Sequence, residues 1–306
     1  MEKVNNKQFY FQMLKPWELL LNAILYFMGA GLSIYFGNLI DWGVIFKGLG
    51  LVCVIQIAGF SLSTLYDLMS AGFSFKKEPW NVESDNPRNQ GRIRMLNTLL
   101  VMITSFSIAA FILIDFILRD EIDMIAILII VISIMLFIIY SIPPFRASKR
   151  GYGEVILGVE GAYLIPAVGY LLQSGENHRI LVFIAIPMTL LYLAMEMIRS
   201  LQGYSMERLN TKNGRMVSLL GPQKGLIVIN IFIITAYLLV VIMSVIGLSW
   251  SIVWRFLLTL PVGLFLIWQI IKIRDGGKPN WQLLDMTAIS MVGLTAYFVA
   301  MGLWLG

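Results

Sequence analysis

A long apolar run closes on Asp67, and the polar stretch after it reads Glu83-Ser84-Asp85-Asn86-Pro87-Arg88. Carboxylates at the mouth of a membrane helix are costly to place, so they face a cavity, a partner or an ion. Ser63 and Thr64 stand four and three residues before Asp67, which puts all three on one helical face. Lys76, Lys77, Arg92 and Arg94 add positive charge to the same neighbourhood. Such a mixture suits an anionic ligand bridged by a divalent cation. Carboxylates hold Mg²⁺ from one side, phosphate oxygens from the other, and Arg or Lys takes the remaining charge. The same residues would also make a solvated loop paired with lipid headgroups, and spacing alone does not separate the two.

A second set lies at Glu196, Arg199, Gly203 and Glu207, spaced by threes and fours along one helical stripe. Glu196 with Arg199 reads first as a structural ion pair, whereas Glu207 falls where the helix emerges and is the better ligand. Between the two sets runs Tyr140-Ser141-Ile142-Pro143-Pro144-Phe145-Arg146, then Lys149-Arg150-Gly151-Tyr152-Gly153-Glu154. The double proline ends the preceding helix, and its basic cluster suits either phosphate or anionic lipid. Glu160 lies about two turns inside the next apolar run, where it must find a partner or a proton.

The elements that carry these residues are membrane helices. Of 306 residues, 58% are apolar and 13% charged, about half the charge of a soluble domain. Crossing the hydrocarbon core takes about twenty apolar residues. Nine such runs are legible, at 17–37, 43–69, 96–117, 122–142, 154–173, 180–199, 223–247, 250–273 and 281–305, forming one all-α domain over 1–306. Met1 to Lys15 is polar and lacks the apolar core of a secretory signal. A single cysteine, Cys53, and a single histidine, His178, exclude an internal disulfide and a His-based metal centre.

With the N-terminus cytoplasmic, 19 of the 23 Lys and Arg fall on the inner side, leaving Lys47, Arg119, Arg179 and Arg255 outside. The positive-inside rule favours that orientation. The net charge of +5 therefore addresses lipid headgroups and not nucleic acid. The three long connections are also inner, so the functional face is expected to be cytoplasmic. The expected setting is an integral protein of a prokaryotic cell membrane.

These pieces, in this order, resemble the UbiA superfamily of intramembrane prenyltransferases over most of the chain. Lys15-Pro16-Trp17 resembles the basic-Pro entry to the family's first helix. Tyr66-Asp67, the Glu83–Arg88 run and Gly91-Arg92-Ile93 resemble the first aspartate-rich motif and its sequel. The most specific match is Tyr140-Ser141, Pro143-Pro144, Arg146 and Gly151-Tyr152-Gly153-Glu154 with Pro166 and Gly169-Tyr170, which is similar to the menaquinone-type branch. Gly214 to Gly221 resembles the stretch after the second motif. The chain departs from the pattern where Ser63, Thr64 and Ala71 occupy places of the first motif, and where Tyr204 and Arg208 occupy aspartate places of the second.

The resemblance implies a nine-helix bundle with a central cavity open to the cytoplasm and to lipid. It implies Mg²⁺-dependent transfer of a polyprenyl group from its diphosphate to a membrane-soluble aromatic or lipid acceptor. Carried onto this chain, Asp67 and Glu207 are the catalytic acids, and Asp67, Glu83, Asp85 and Glu207 are the acids available to Mg²⁺. Lys15, Arg88, Arg92, Arg146, Lys149 and Arg208 would bind diphosphate. Tyr66, Tyr140, Tyr163, Glu160 and Tyr204 would line the prenyl or acceptor pocket. Two other readings stay open: a terpene cyclase of the same type, and a non-catalytic lipid-binding homologue that has lost metal ligands. A secondary transporter, prompted by Glu160 and Glu196, would require broken helices in matched halves.

Overall fold

A computed structural model describes residues 6–70, 87–176, 178–206 and 216–305. Among these residues, nine helical stretches are long and apolar enough to cross a membrane, as the hydropathy pattern predicts. The chain runs as α1 (Asn6–Leu14), α2 (Pro16–Tyr35), α3 (Trp42–Ser70), α4 (Pro87–Leu118) and α5 (Met124–Ser141). A 3₁₀ turn, Ala147–Lys149, leads into α6 (Gly153–Val159), a π-turn (Glu160–Leu164) and α7 (Ile165–Ser174). Then follow α8 (Arg179–Met206), α9 (Met216–Leu220), α10 (Pro222–Ile246), α11 (Trp250–Leu257), α12 (Leu260–Arg274) and α13 (Trp281–Leu305).

Four features depart from nine simple rods. The short helix α1 precedes the first span and is joined to it through Lys15, whose backbone is left-handed (φ 45°, ψ 60°). Pro16 then opens α2, where a missing N–H costs nothing. The third span starts at Pro87, nine residues before its apolar stretch, because Pro87 opens a helix whose first turns are polar. The fifth span is interrupted by the π-turn at Glu160. The eighth is broken between α11 and α12, where Pro261 falls in the first turn of α12 and the Thr259 hydroxyl bonds the Phe256 carbonyl at 2.9 Å.

Small residues bring the helices together. A Cβ on Gly29 would strike the Pro166 carbonyl, and one on Gly169 would strike the Tyr26 carbonyl, so α2 and α7 cross backbone to backbone. Gly59 seats the Phe137 ring and Gly161 seats the Tyr192 ring, closing α3 on α5 and the π-turn on α8. Large apolar side chains such as Phe111, Leu128, Ile231 and Met286 point outward, where a bilayer and not water must receive them. Trp17, Trp42, Trp250 and Trp254 are exposed close to span ends, at the depth indole rings prefer.

The two ends of the bundle differ. At one end Lys47 bonds Glu121 and, at 3.2 Å, Asp115, which also accepts from Arg119 at 2.8 Å. At the other end the start of α2, the ends of α3, α5 and α8, and the start of α6 converge on a cavity.

Candidate active site

The cavity measures about 270 Å³ and each of its walls comes from a different element. The α1–α2 corner supplies Lys15 and Glu18, α3 supplies Ser63 and Asp67, and α5 supplies Tyr140. Lys149 comes from the 3₁₀ turn, Glu154 and Leu157 from α6, and Glu196, Arg199 and Ser200 from α8. Polytopic packing is needed to assemble this set, since its members lie up to 185 positions apart between Lys15 and Ser200.

Asp67 stands at the cavity mouth with its side chain 46% exposed. Its Oδ1 accepts from Arg146 Nη2 at 2.7 Å and lies 3.3 Å from Lys149 Nζ. The same Arg146 nitrogen donates to the Tyr66 carbonyl at 3.3 Å and the Ser70 hydroxyl at 3.1 Å. Arg146 is thereby fastened across the end of α3. Its backbone is left-handed (φ 34°, ψ 57°), as is that of Lys15. A non-glycine residue in this region costs on the order of 1–3 kcal/mol and persists where surrounding contacts enforce it. Both residues are cations at this cavity.

The inner wall is an ion network. Arg199 Nη1 donates to Glu18 at 3.1 Å and Glu196 at 2.9 Å, and its Nε donates to Asp285 at 3.1 Å. Lys15 Nζ lies 3.1 Å from Glu18 and 4.6 Å from the centre of the Phe60 ring. One turn deeper, the Tyr192 hydroxyl donates to Asn22 Oδ1 at 3.3 Å. The pairing expected between Glu196 and Arg199 is present, and Glu18 and Asp285 extend it.

Glu154 receives the backbone N–H of Met216 at 3.2 Å. The start of α9 is thus held at the cavity edge, as the end of α3 is held by Arg146.

Of the sequence candidates, Lys15, Asp67, Tyr140 and Lys149 line the cavity, and Arg146 stands directly behind Asp67. Tyr66 offers its carbonyl to Arg146 instead of its ring to the cavity wall. Among the described residues, Arg92, Tyr163 and Glu160 are not part of the lining; Arg92 Nε is buried without a hydrogen-bond partner among them, and Glu160 bonds Ser133 in the bundle interior. Arg88 and Tyr204 sit on α4 and α8, but their side chains lie outside the described residues, as do Glu83, Asp85, Glu207 and Arg208 entirely. The sequence reading missed Glu18 and Asp285, and it named Glu154 within a motif without giving it a role. Glu18 carried a usable signal, three residues after Lys15 and in the first turn of α2. Asp285 carried none, because only tertiary packing sets it beside Arg199.

Among the described residues no group of three or more His, Cys, Asp or Glu could hold a metal by itself. Mg²⁺, however, is commonly bound through one or two carboxylates, with substrate phosphates and water completing its shell. Asp67 fits that role: its carboxylate is half exposed, it lines the cavity, and the Ser63 hydroxyl lies one turn behind it on the same wall.

The sequence pattern of the UbiA prenyltransferase family matches residues 24–289. The chain matches none of the curated proteins. Its fold is similar to that of a UbiA homologue from Archaeoglobus fulgidus bound to DMAPP and Mg²⁺ (TM-score 0.60, 16% identity, 95% of this chain and 98% of that one). It is also similar to a UbiA homologue from Aeropyrum pernix K1 in its apo form (TM-score 0.61, 14% identity, 93% and 96% covered). A digeranylgeranylglyceryl phosphate synthase aligns at TM-score 0.59 and 14% identity over 96% of this chain and 99% of the other. With the family pattern spanning seven of its nine predicted membrane runs in full and parts of the first and last, this chain belongs to the UbiA prenyltransferase family.

Proposed function

We propose that the chain transfers a polyprenyl group from its diphosphate to a membrane-soluble aromatic or lipid acceptor, with the cavity facing the cytoplasm and Mg²⁺ required. The observation that carries this reading is the convergence of Lys15, Lys149 and Asp67, backed by Arg146, on one cavity walled by Tyr140.

Charge balance supports the metal. Among the described residues, the lining acids Glu18, Asp67, Glu154 and Glu196 are matched by Lys15, Lys149, Arg199 and, behind Asp67, Arg146. A site whose own charges cancel has little net attraction for a diphosphate, so an added dication is needed to accept one. Asp67 would hold it. Bound there, Mg²⁺ would supply Lewis-acid stabilisation of negative charge developing on the diphosphate.

Lys149 and Arg146 are tied to Asp67 in the described state, and a diphosphate would exchange that carboxylate for phosphate oxygens. Both cations would then sit beside the oxygens on which charge grows as the allylic carbon–oxygen bond breaks. The bonding electron pair leaves with the diphosphate, and the allylic cation forms a bond to the acceptor. The acceptor's proton departs with the diphosphate. The Tyr140 ring offers a π-face to the cationic carbon. Incubating membranes that contain the protein with radiolabelled prenyl diphosphates of several lengths, then identifying the lipid products, tests the reading. Labelled diphosphate-free lipid that depends on the protein supports it, and recovery of unreacted substrate at every length refutes it.

A further inference from the structure

A second polar cluster lies in the membrane interior, away from the cavity. Glu160 opens the π-turn and is 4% exposed. Its Oε1 accepts from the Ser133 hydroxyl at 2.5 Å, while its Oε2 is buried with no hydrogen-bond partner among the described residues. Gln56 on α3 is 1% exposed, and neither its amide oxygen nor its amide nitrogen has a partner among the described residues.

Helical register places these groups at one level. The Phe60 and Phe137 rings meet edge to face at 5.8 Å, and Gly59 seats the Phe137 ring. Helices α3 and α5 run parallel, since their ends meet through Arg146 just beyond Ser141. One turn back from Phe137 is Ser133, and one turn back from Phe60 is Gln56, each about 6 Å along its axis. Gln56 therefore stands at the level of the Ser133–Glu160 pair. The π-turn, a local widening often found at functional positions, sets the direction of Glu160.

No cation faces this cluster among the described residues. Of the titratable groups on the packed elements, Glu18, Asp67, Tyr140, Glu154 and Glu196 line the cavity, Tyr66 adjoins Asp67, and Tyr35 and Tyr170 stand toward the opposite ends of α2 and α7, which leaves Cys53 on α3, Tyr26 on α2, Tyr163 on the π-turn, and Tyr192 on α8, whose ring lies against Gly161. Lys15 and Arg199 are engaged at the cavity, and Lys47 at the opposite end of the bundle. An ionised carboxylate accepts hydrogen bonds only and needs a paired charge in hydrocarbon. A neutral carboxylic acid has one donor, and Gln56 presents an unpartnered acceptor at the same level.

We infer that Glu160, Ser133 and Gln56 form a proton-holding site in the membrane interior. The Glu160 acid accepts from Ser133 on Oε1 and donates from Oε2 to the Gln56 amide oxygen, directly or through one water molecule. A carboxyl that already holds its proton cannot take up the proton of a prenyl acceptor, which removes Glu160 from general-base roles.

The test is infrared difference spectroscopy of purified protein, wild type minus Glu160→Gln. The expected result is a carbonyl stretch of a protonated carboxylic acid, present in wild type, absent in the variant, and shifted when the protein is produced in D₂O. It should persist across the neutral pH range and in the presence or absence of Na⁺. Ser133→Ala and Gln56→Leu should each move this band, since each removes one hydrogen bond from the acid, and they serve if Glu160→Gln does not fold. A carboxylate signature from Glu160 in wild type overturns the inference, as does an acid band that Na⁺ abolishes. An acid band that neither Ser133→Ala nor Gln56→Leu displaces overturns it too.

Discussion

Replacing Arg199 by Met tests how the inner wall of the cavity is held. Arg199 joins Glu18, Glu196 and Asp285 at 2.9–3.1 Å, with side-chain exposures of 8%, 8% and 31% for the three acids. Their losses differ. Glu18 keeps Lys15 at 3.1 Å, and Asp285 is exposed enough that its pair is worth about 0–1 kcal/mol. Glu196 is buried and depends on Arg199, and breaking a buried pair by removing one partner costs about 3–5 kcal/mol. Arg199 itself faces the cavity with 21% of its side chain exposed, so water softens the loss toward the lower figure, about 3 kcal/mol. That is about a hundredfold in the unfolding equilibrium. Denaturation by SDS in mixed micelles, followed by far-UV circular dichroism, would measure it. Adding Glu196→Leu should recover most of the loss, because the stranded charge is then gone. Arg199→Lys should fall between, lacking the fork that reaches several acids. If Arg199→Met is as stable as wild type, or if the double variant loses the sum of the two single losses, the network does not hold the wall as described.

Other substitutions probe separate parts of the structure. Gly29→Ala should lower thermal stability by at least 1–3 kcal/mol, roughly the cost of overpacking, because its Cβ meets the Pro166 backbone; Gly50→Ala, with open space around it, should not. Equal melting temperatures would contradict the close α2–α7 crossing. Trp304→Phe removes the 2.9 Å bond from Nε1 to the Phe27 carbonyl and should cost about 1 kcal/mol in the same unfolding assay. Lys149→Met should raise KM for a prenyl diphosphate about tenfold, an order-of-magnitude figure for a charge-assisted contact, and an unchanged KM would take Lys149 out of diphosphate binding.

Hydropathy made the nine spans legible because each crossing must bury its own backbone hydrogen bonds in one apolar run. What it could not show are breaks inside a run. The π-turn at Glu160 and the interruption at Thr259 leave the apolar pattern intact; Pro261 marks the second, and only hydrogen-bond geometry exposes the first. The site was legible in part. Asp67, Lys149 and Arg146 stood out as charges flanking apolar stretches, and they meet in space. The i,i+3 spacing of Lys15 and Glu18 was a legible signal that went unused, whereas Asp285 looks like any interfacial charge until Arg199, 86 positions away, is placed beside it. Glu160 was legible as a buried acid, and its partner Ser133 was not, since one serine in an apolar helix gives no signal.

The central claim, that this cavity takes a prenyl diphosphate with a metal on Asp67, is tested most directly by calorimetric titration of purified protein with a non-hydrolysable prenyl diphosphate analogue, with Mg²⁺ and with EDTA. Binding should require Mg²⁺ and should weaken at least tenfold in Asp67→Asn, about 1.4 kcal/mol, a substitution that keeps the side-chain shape and removes the charge. Binding of equal strength with EDTA, or unchanged in Asp67→Asn, would contradict the account.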